Sequence, residues 1–378
     1  MAHTTPSPAF DVCIRGSGIV GLTLARLLAM QGLRVALVGS VEPPAHADVR
    51  AYAINHASRD TLARAQAWPQ EPGAVTPVTH MRVFGDDNGA IRFDAPAHEE
   101  LTWIVDVPAL ISALQAVVVH DARISVITPA AGDANGAAPK AALTVICEGR
   151  ETASRMQAGL RVTSKRYGHD ALATRVMADH PHRGVAWQWF TGSSILGLLP
   201  LGGAEGRELA VVWSQTPQHT QYWQQQDPHA LGEALGAASH HALGRLQVHA
   251  PVATWPLVYT RATRWIAPGL ALAGDAAHTV HPLAGQGLNL GLADVADLAA
   301  IVAQRPHWRS PGDWKLLRQY ERSRSLPTRL MQDGTDALYL LFASDWPVAA
   351  PMRNWGLSLV DHLGPLKRGA MAQARLSV

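Results

Sequence analysis

The stretch FDVCIRGSGIVGLTLARLLAMQGLRVALVGS, Phe10 to Ser40, decides the fold. Asp11 to Arg15 reads as a short buried strand and Gly16 to Gly21 as a tight turn. From Ile19 to about Gln31 the spacing of Leu22, Leu24, Ala25, Leu28 and Ala29 suits a helix packed on a sheet. Gly32 ends that helix, and Leu33 to Val38 is a second strand. The unit is βαβ with G-x-G-x-x-G at its first turn, the pattern of a dinucleotide site. Glycine lets the backbone of Gly16, Ser17, Gly18, Ile19, Val20 and Gly21 approach a pyrophosphate, whose charge is favoured by the free N–H groups and positive dipole end of the helix. Such a unit ordinarily ends its second strand in Asp or Glu, which binds the adenosine ribose; Gly39 stands there, with Glu42 three residues on. Arg50, in DVRAYAIN, reads either as a phosphate neighbour or as a solvated loop cation.

Working outward, the 378-residue chain is long enough for two or three folded units. It is 47% hydrophobic and 16% charged, and no run of about 18 uncharged apolar residues suggests a membrane span. The net charge is only +2 and the basic residues are scattered, which argues against nucleic-acid binding. Cys13 and Cys147 are the only cysteines, with no metal-ligand spacing around them or around the eighteen histidines, so neither a disulfide framework nor a metal site is expected. A reducing, cytoplasmic setting fits, and MAHTTPSPAF lacks the pattern of a signal peptide.

A second glycine-rich stretch, GDAAHTVHPLAGQGLNLGLAD, spans Gly274 to Asp294. Leu270 to Ala273 reads as a small-residue strand that delivers Asp275 to a strand end, where α/β sheets bind ligands. Pro282 holds a turn, Gly285 and Gly287 admit something flat, and Leu288 to about Gln304 is an apolar helix whose N-terminus favours negative charge beside it. The alternative, taken alone, is that Asp275 caps a helix and the glycines make a connection. With a βαβ site in the same chain, the two stretches suit the two ends of FAD.

Here the chain resembles a known family. Gly274 to Asp294 is similar to the second FAD fingerprint of the single-component aromatic flavin monooxygenases, the para-hydroxybenzoate hydroxylase type, and the likeness is greatest to the ubiquinone-biosynthesis hydroxylases. It extends through DVRAYAINHAS, PHRGVAWQWFTGSSILGLLPL, LRQYERSR and NWGLSLVDHLGPLKR. The resemblance implies that Gly16, Gly18 and Gly21 bind the pyrophosphate with Arg50 nearby. It implies that Asp275 binds the ribityl chain and that Pro282, Gly285, Gln286, Gly287, Leu288 and Asn289 line the isoalloxazine. A third family motif, Asp-Gly followed by S-x-x-R, is altered to CEGRETASR: Glu148-Gly149 replaces Asp-Gly, and Thr152 and Arg155 stand for Ser and Arg.

The fold expected is α/β, with a discontinuous Rossmann-like FAD-binding domain (1–76, 101–180, 255–330), an inserted mixed or antiparallel sheet domain for substrate (77–100, 181–254) and a C-terminal helical region (331–378). Residues 80–96 alternate about Asp-Asn-Gly as a hairpin; 184–190, 194–203 and 209–214 read as strands, 106–120 as a capped helix, 128–142 as a loop and 219–245 as helical. Trp187 and Trp189 share a strand face, either over the substrate or in the core; Leu198 and His281 are further substrate candidates. The apolar C-terminal helical face, with Trp346, Trp355 and Leu357, suits packing on its own domain, a subunit contact, an isoprenoid groove or an interfacial contact.

The resemblance implies a reaction in which NAD(P)H, bound transiently, reduces FAD, O2 adds at C4a and the hydroperoxide hydroxylates the ring of a polyprenylated phenol. No residue is assigned as catalytic acid or base; His278 and His281 flank the flavin loop and read as structural. Peripheral attachment to the inner membrane, a multi-enzyme complex and a homo-oligomer are compatible partners. Gly39 and Glu148 motivate a rival reading, a flavin-deficient relative that serves as a binding or assembly component. A halogenase is disfavoured, because WQWF does not complete W-x-W-x-I-P.

Overall fold

A computed structural model describes residues 9–41, 48–85, 89–129, 139–150, 153–192, 194–203, 206–280 and 286–343. Strand β1 (Phe10–Arg15), helix α1 (Ile19–Ala29) and strand β2 (Val35–Val38) form the expected βαβ unit, with Val12 beside Val35 in parallel register. There follow β3 (Ala51–Ile54), α2 (His56–Arg64), β4 (Val75–Val78), the hairpin β5 (His80–Phe84) and β6 (Ala90–Asp94), then β7 (Thr102–Asp106), α3 (Val107–Val119) and β8 (Ile124–Ile127). Strand β9 (Ala141–Ile146) and α4 (Ala153–Gln157) lead into β10 (Val162–Ala178), β11 (Val185–Thr191), β12 (Ser194–Pro200) and β13 (Glu208–Gln215). Helices α5 (Pro217–Gln225) and α6 (Pro228–Ala238) precede β14 (Leu246–Val248) and β15 (Ala253–Ala262). The described chain closes with β16 (Ile266–Ala267), β17 (Leu270–Leu272), β18 (His278–Thr279), α7 (Gln286–Ala303) and α8 (Trp314–Ala343).

Among the described residues the strands form three sheets. The first has the order β16-β17-β9-β1-β2-β8, parallel except for its β16 edge. Its central strand is apolar along its length, with Val12, Cys13 and Ile14 wholly buried, as a parallel sheet covered on both faces requires. Asp106 caps α3 by accepting from Ala109 N, and Leu110, Leu114 and Val118 join this core. The apolar helix α7 meets a membrane span's length and composition, but 61% of it is buried in this fold, where it packs on α1, α2 and α8. The third sheet, β3-β7-β4, is small and antiparallel.

The second sheet has nine strands, ordered β18-β15-β10-β13-β12-β11-β5-β6 with β14 on β10. Alternation separates its faces. Leu209, Val211 and Trp213 of β13 and Leu196 and Leu198 of β12 pack with Leu231 and Leu235 of α6, whereas Ala210, Val212 and Ser214 point the other way. The sheet also moves the expected boundaries. Residues 162–178 were expected in the FAD-binding part and 255–262 in its last segment; both are strands of the large sheet, β10 pairing β13, β14 and β15 along its length. The polar run Thr163–Arg166 and the register shift between Arg166 and Asp170 obscure the alternation that would reveal this strand. The helical stretch 219–245 is two helices, because Asp227 caps a new one at Pro228 by accepting from Ala230 N. The loop expected over 128–142 lies largely outside the described residues, as do Glu42, Thr152, Trp346, Trp355 and Leu357.

Candidate active site

A cavity of about 1020 Å³ opens where the sheets meet, at the upper end of the usual range for small-molecule sites. Gly16, Ser17, Gly18, Ile19 and Val20 line it, together with Arg50, Asp275, Gln286, Gly287, Leu288 and Asn289. The two glycine-rich stretches, more than two hundred residues apart, thus share one space. Gly21 faces inward instead: a Cβ there would sit 1.9 Å from Gly16 O, so this glycine serves the close packing of helix on turn.

The turn has the properties of an anion cradle. Gly16 takes φ +109°, and a Cβ on it would lie 2.4 Å from Cys147 O, so only glycine follows this path. A Cβ on Gly18 would meet nothing within 4 Å; there the backbone borders open cavity. Gly18 also begins α1 without a side-chain cap, and no acid sits in the first turn, so the N–H groups of that turn remain for a ligand. These residues fit the pyrophosphate of FAD. At the start of α7, buried Gln286 Oε1 has no partner among the described residues, an acceptor available to a bound ring.

Asp275 sits on the one-turn 3₁₀ helix Gly274–Ala276 with its side chain open to the cavity. Desolvation raises its pKa above the ordinary value, opposed by the nearby charges of His278, Arg150 and Arg50. Arg50 is clamped by Asp48 through Nε and Nη2, and its Nη1 donates to Tyr52 Oη at 3.3 Å. Burial pushes the Asp48 carboxyl up, but the Arg50 hydrogen bonds leave it below its usual value. Burial raises the Cys147 thiol, so it is no thiolate at neutral pH.

Sequence reading misses what holds the second stretch in place. Asp294, wholly buried on α7, accepts from Gly274 N at 2.9 Å and from His278 Nε2 at 2.6 Å through one oxygen, and from Arg324 Nε at 2.9 Å through the other. Burial alone would raise its pKa; His278 and Arg324 bring it below the ordinary value. Arg155 donates to Ala276 O at 2.8 Å and secures the same turn from α4. The signal was available: an aspartate within the apolar run LNLGLADVADLAAIVA must be paired if that helix is buried. Glu148, the altered third motif, accepts from Arg15 Nε at 2.6 Å and from Ser154 Oγ at 3.0 Å. Gly39 cannot be replaced by an acid without rearrangement, since its φ is +153° and a Cβ would lie 2.5 Å from Ser17 Oγ.

Other placements differ from expectation. Asn289 lines the cavity, but its amide is engaged: Nδ2 donates to Ala53 O and Oδ1 accepts from Asn55 N, tying α7 to β3. Trp189 and Leu198 are not on the cavity wall; strand alternation turns them into the core shared with α6. Trp187 borders the cavity; its ring is stacked on Trp189 at 5.8 Å and Phe84 at 6.1 Å, and its buried Nε1 has no partner among the described residues. The cavity face of those strands carries Ala186, Gln188, Ile195, Gly197 and Leu199 instead. His281, Pro282 and Gly285 lie outside the described residues.

The FAD binding domain family matches residues 120–335, more than half the chain. The chain is 31% identical to the ubiquinone hydroxylase UbiL of Rhodospirillum rubrum over 96% of its own length and 89% of that protein. It is 29% identical to the 3-demethoxyubiquinol 3-hydroxylase of Escherichia coli over 96% of its length and 98% of that protein. Among solved structures, PqsL of Pseudomonas aeruginosa, a probable FAD-dependent monooxygenase, shares the fold with a TM-score of 0.70 at 20% identity, over 92% of this chain and 99% of that one. With the glycine turn, Asp275 and the common cavity in place, the chain belongs to the ubiquinone-biosynthesis hydroxylase family of FAD-dependent monooxygenases, with FAD as its cofactor.

Proposed function

We propose that this enzyme hydroxylates the aromatic ring of a polyprenylated phenol in ubiquinone biosynthesis, with NAD(P)H and O2 as co-substrates. The observation that carries the reading is one cavity lined both by the glycine turn Gly16–Val20 and by a mostly apolar face of the nine-stranded sheet. The names of the relatives supply the substrate class. One oxygen atom enters a ring C–H bond to give C–OH; the other leaves as water, with two electrons from NAD(P)H and a proton. Bound FAD supplies the activation of dioxygen that no side chain here performs.

The chain's own part is positioning and exclusion of water. The Gly16–Gly21 turn and the α1 N-terminus would hold the pyrophosphate, and Asp275 a polyol hydroxyl. Gln286, Gly287 and Leu288, at the α7 N-terminus, would border the ring edge that gains negative charge on reduction. Val78, Met81, Phe93 and Leu257 make the remaining wall apolar and favour a dry site, where a reactive oxygen species survives long enough to meet the phenol. The test is turnover of a geranyl-substituted phenol under ¹⁸O2. A product that gains one labelled oxygen supports the reading; NAD(P)H oxidation that yields only peroxide with every prenylphenol tried removes it.

Such a substrate resides in lipid, and the outer face of α8 suits an anionic membrane surface on the cytoplasmic side. Lys315, Arg318, Arg322 and Arg329 are exposed there beside Trp314, Leu326 and Leu330, the last two 61% and 66% exposed. Co-sedimentation with vesicles should need anionic phospholipid and weaken with salt.

A further inference from the structure

The cavity face of the nine-stranded sheet has a row that narrows to a glycine at its middle. Register places Val83, Gln188, Gly197, Val212, Ala173 and Ala253 side by side across six strands. The next row along the strands runs Phe190, Ile195, Ser214, Ala171 and Trp255. On the other side, Ala186 and Ala210 pack against Ile104 and Val78 of the small sheet and close the space. At the middle of the first row a Cβ on Gly197 would touch only Val212 O, at 3.6 Å, so the sheet floor is hollow there. The opposite face of the same strands carries Leu196, Leu198, Val211 and Trp213, so the small residues belong to one side only.

One polar group in the second row has no counterpart in the protein. Ser214 is 3% exposed and lines the cavity, and its Oγ makes no hydrogen bond. A buried hydroxyl left unsatisfied is destabilising, and a ligand atom that pairs with it removes that cost. Strand alternation points it to the cavity side, one row from Gly197 and diagonally across from it, within ~8 Å between backbone positions. A flat ring lying over the glycine brings an oxygen substituent to that hydroxyl.

We infer that Gly197 and Ser214 form the head-group subsite: the substrate ring lies on the sheet over Gly197, and Ser214 hydrogen-bonds an oxygen substituent of that ring. The assignment rests on the hydroxylase reading and names the residues that select an oxygenated aromatic head. Ser214 is thus a positioning residue for the ring, with no part in flavin binding. Gly197 is a specificity residue, because any side chain there occupies the floor.

The test compares wild type, Ser214→Ala, Ser214→Thr and Gly197→Leu, all loaded with FAD. Binding of a geranyl-substituted phenol is read from the perturbation of the flavin absorbance band, and FAD affinity from fluorescence quenching. Ser214→Ala should raise the phenol Kd about tenfold, the loss of one buried hydrogen bond, and Ser214→Thr should restore it to within about threefold. Gly197→Leu should raise the Kd by more than about tenfold by steric exclusion. FAD affinity should stay within about twofold in all three, and Ser214→Ala should release more peroxide per NAD(P)H oxidised. Wild-type phenol affinity in both Ser214→Ala and Gly197→Leu overturns the subsite while leaving the hydroxylase reading intact. A parallel loss of FAD affinity overturns it too, since the residues would then be structural. If wild type itself shows no saturable phenol binding, the hydroxylase reading fails and the subsite with it.

Discussion

The two glycine-rich stretches that border the cavity are built in opposite ways. The turn at Gly16–Gly21 is largely self-contained: β1, the turn and α1 are consecutive, Gly21 packs on Gly16 and Ile14, and only Gly16 rests on a distant residue, Cys147 just beyond β9. The stretch at Gly274–Asp294 is held by its own far end and by two arginines from outside it. Asp294 of α7, itself paired with Arg324 of α8, and Arg155 of α4 hold one 3₁₀ turn, all three side chains buried. Even the packing differs, since Gly274 and Gly291 are small so that Val20 of α1 can lie between them. The first loop needs the right backbone, whereas the second needs distant parts of the chain already in place. A ligand spanning both therefore reports on the whole tertiary structure.

Asp294→Ala breaks this contrast most severely. It leaves Arg324 buried without its carboxylate and Gly274 N without an acceptor, so stability should fall by about 3–5 kcal/mol in urea titration, with loss of FAD binding. If the variant retains wild-type stability, the second loop is not held by this network. Gly21→Ala, on the self-contained side, places a methyl 1.9 Å from Gly16 O and should cost about 1–3 kcal/mol and release FAD. Gly18→Ala sharpens the comparison, because its methyl meets no protein atom within 4 Å. Apo-protein melting should stay put while FAD affinity falls by about tenfold or more, roughly 1.4 kcal/mol. Equal affinity would show that the ligand does not approach this glycine.

The mildest effect concerns pH. Because the folded pKa of Asp294 is lowered, its stabilisation is present above the ordinary carboxylate value of about 3.9 and disappears as pH falls through the folded value. The stability difference between wild type and Asp294→Asn should therefore be level from pH 5 to 7 and narrow as pH drops below about 4, measured by urea unfolding at each pH. A difference that widens in acid would mean that the carboxylate is not ionised in the folded protein.

Local patterns were readable wherever a segment's own periodicity matched its burial. The βαβ unit, the hairpin β5–β6 and the capped helix α3 lie where apolar spacing and cap residues place them. β10 was hidden because its first half is polar and broken by a register shift, so period two never shows. Trp187 and Trp189 were read as sharing a face, and they do; which side that face looks to depends on α6, a partner distant in sequence. Asn289 and Glu148 show the same limit. Their residue types suit a ligand, and their tertiary neighbours Ala53, Asn55, Arg15 and Ser154 engage them instead.

The sequence alone determined the dinucleotide cradle, because glycine spacing, strand and helix all lie within about thirty residues and obey short-range sterics. Only the tertiary structure decided which face of the large sheet receives the substrate and how Asp275 is held. Both depend on contacts between residues from tens to more than a hundred positions apart, and the direction in which an alternating strand is covered is a property of its partners, not of its own residues.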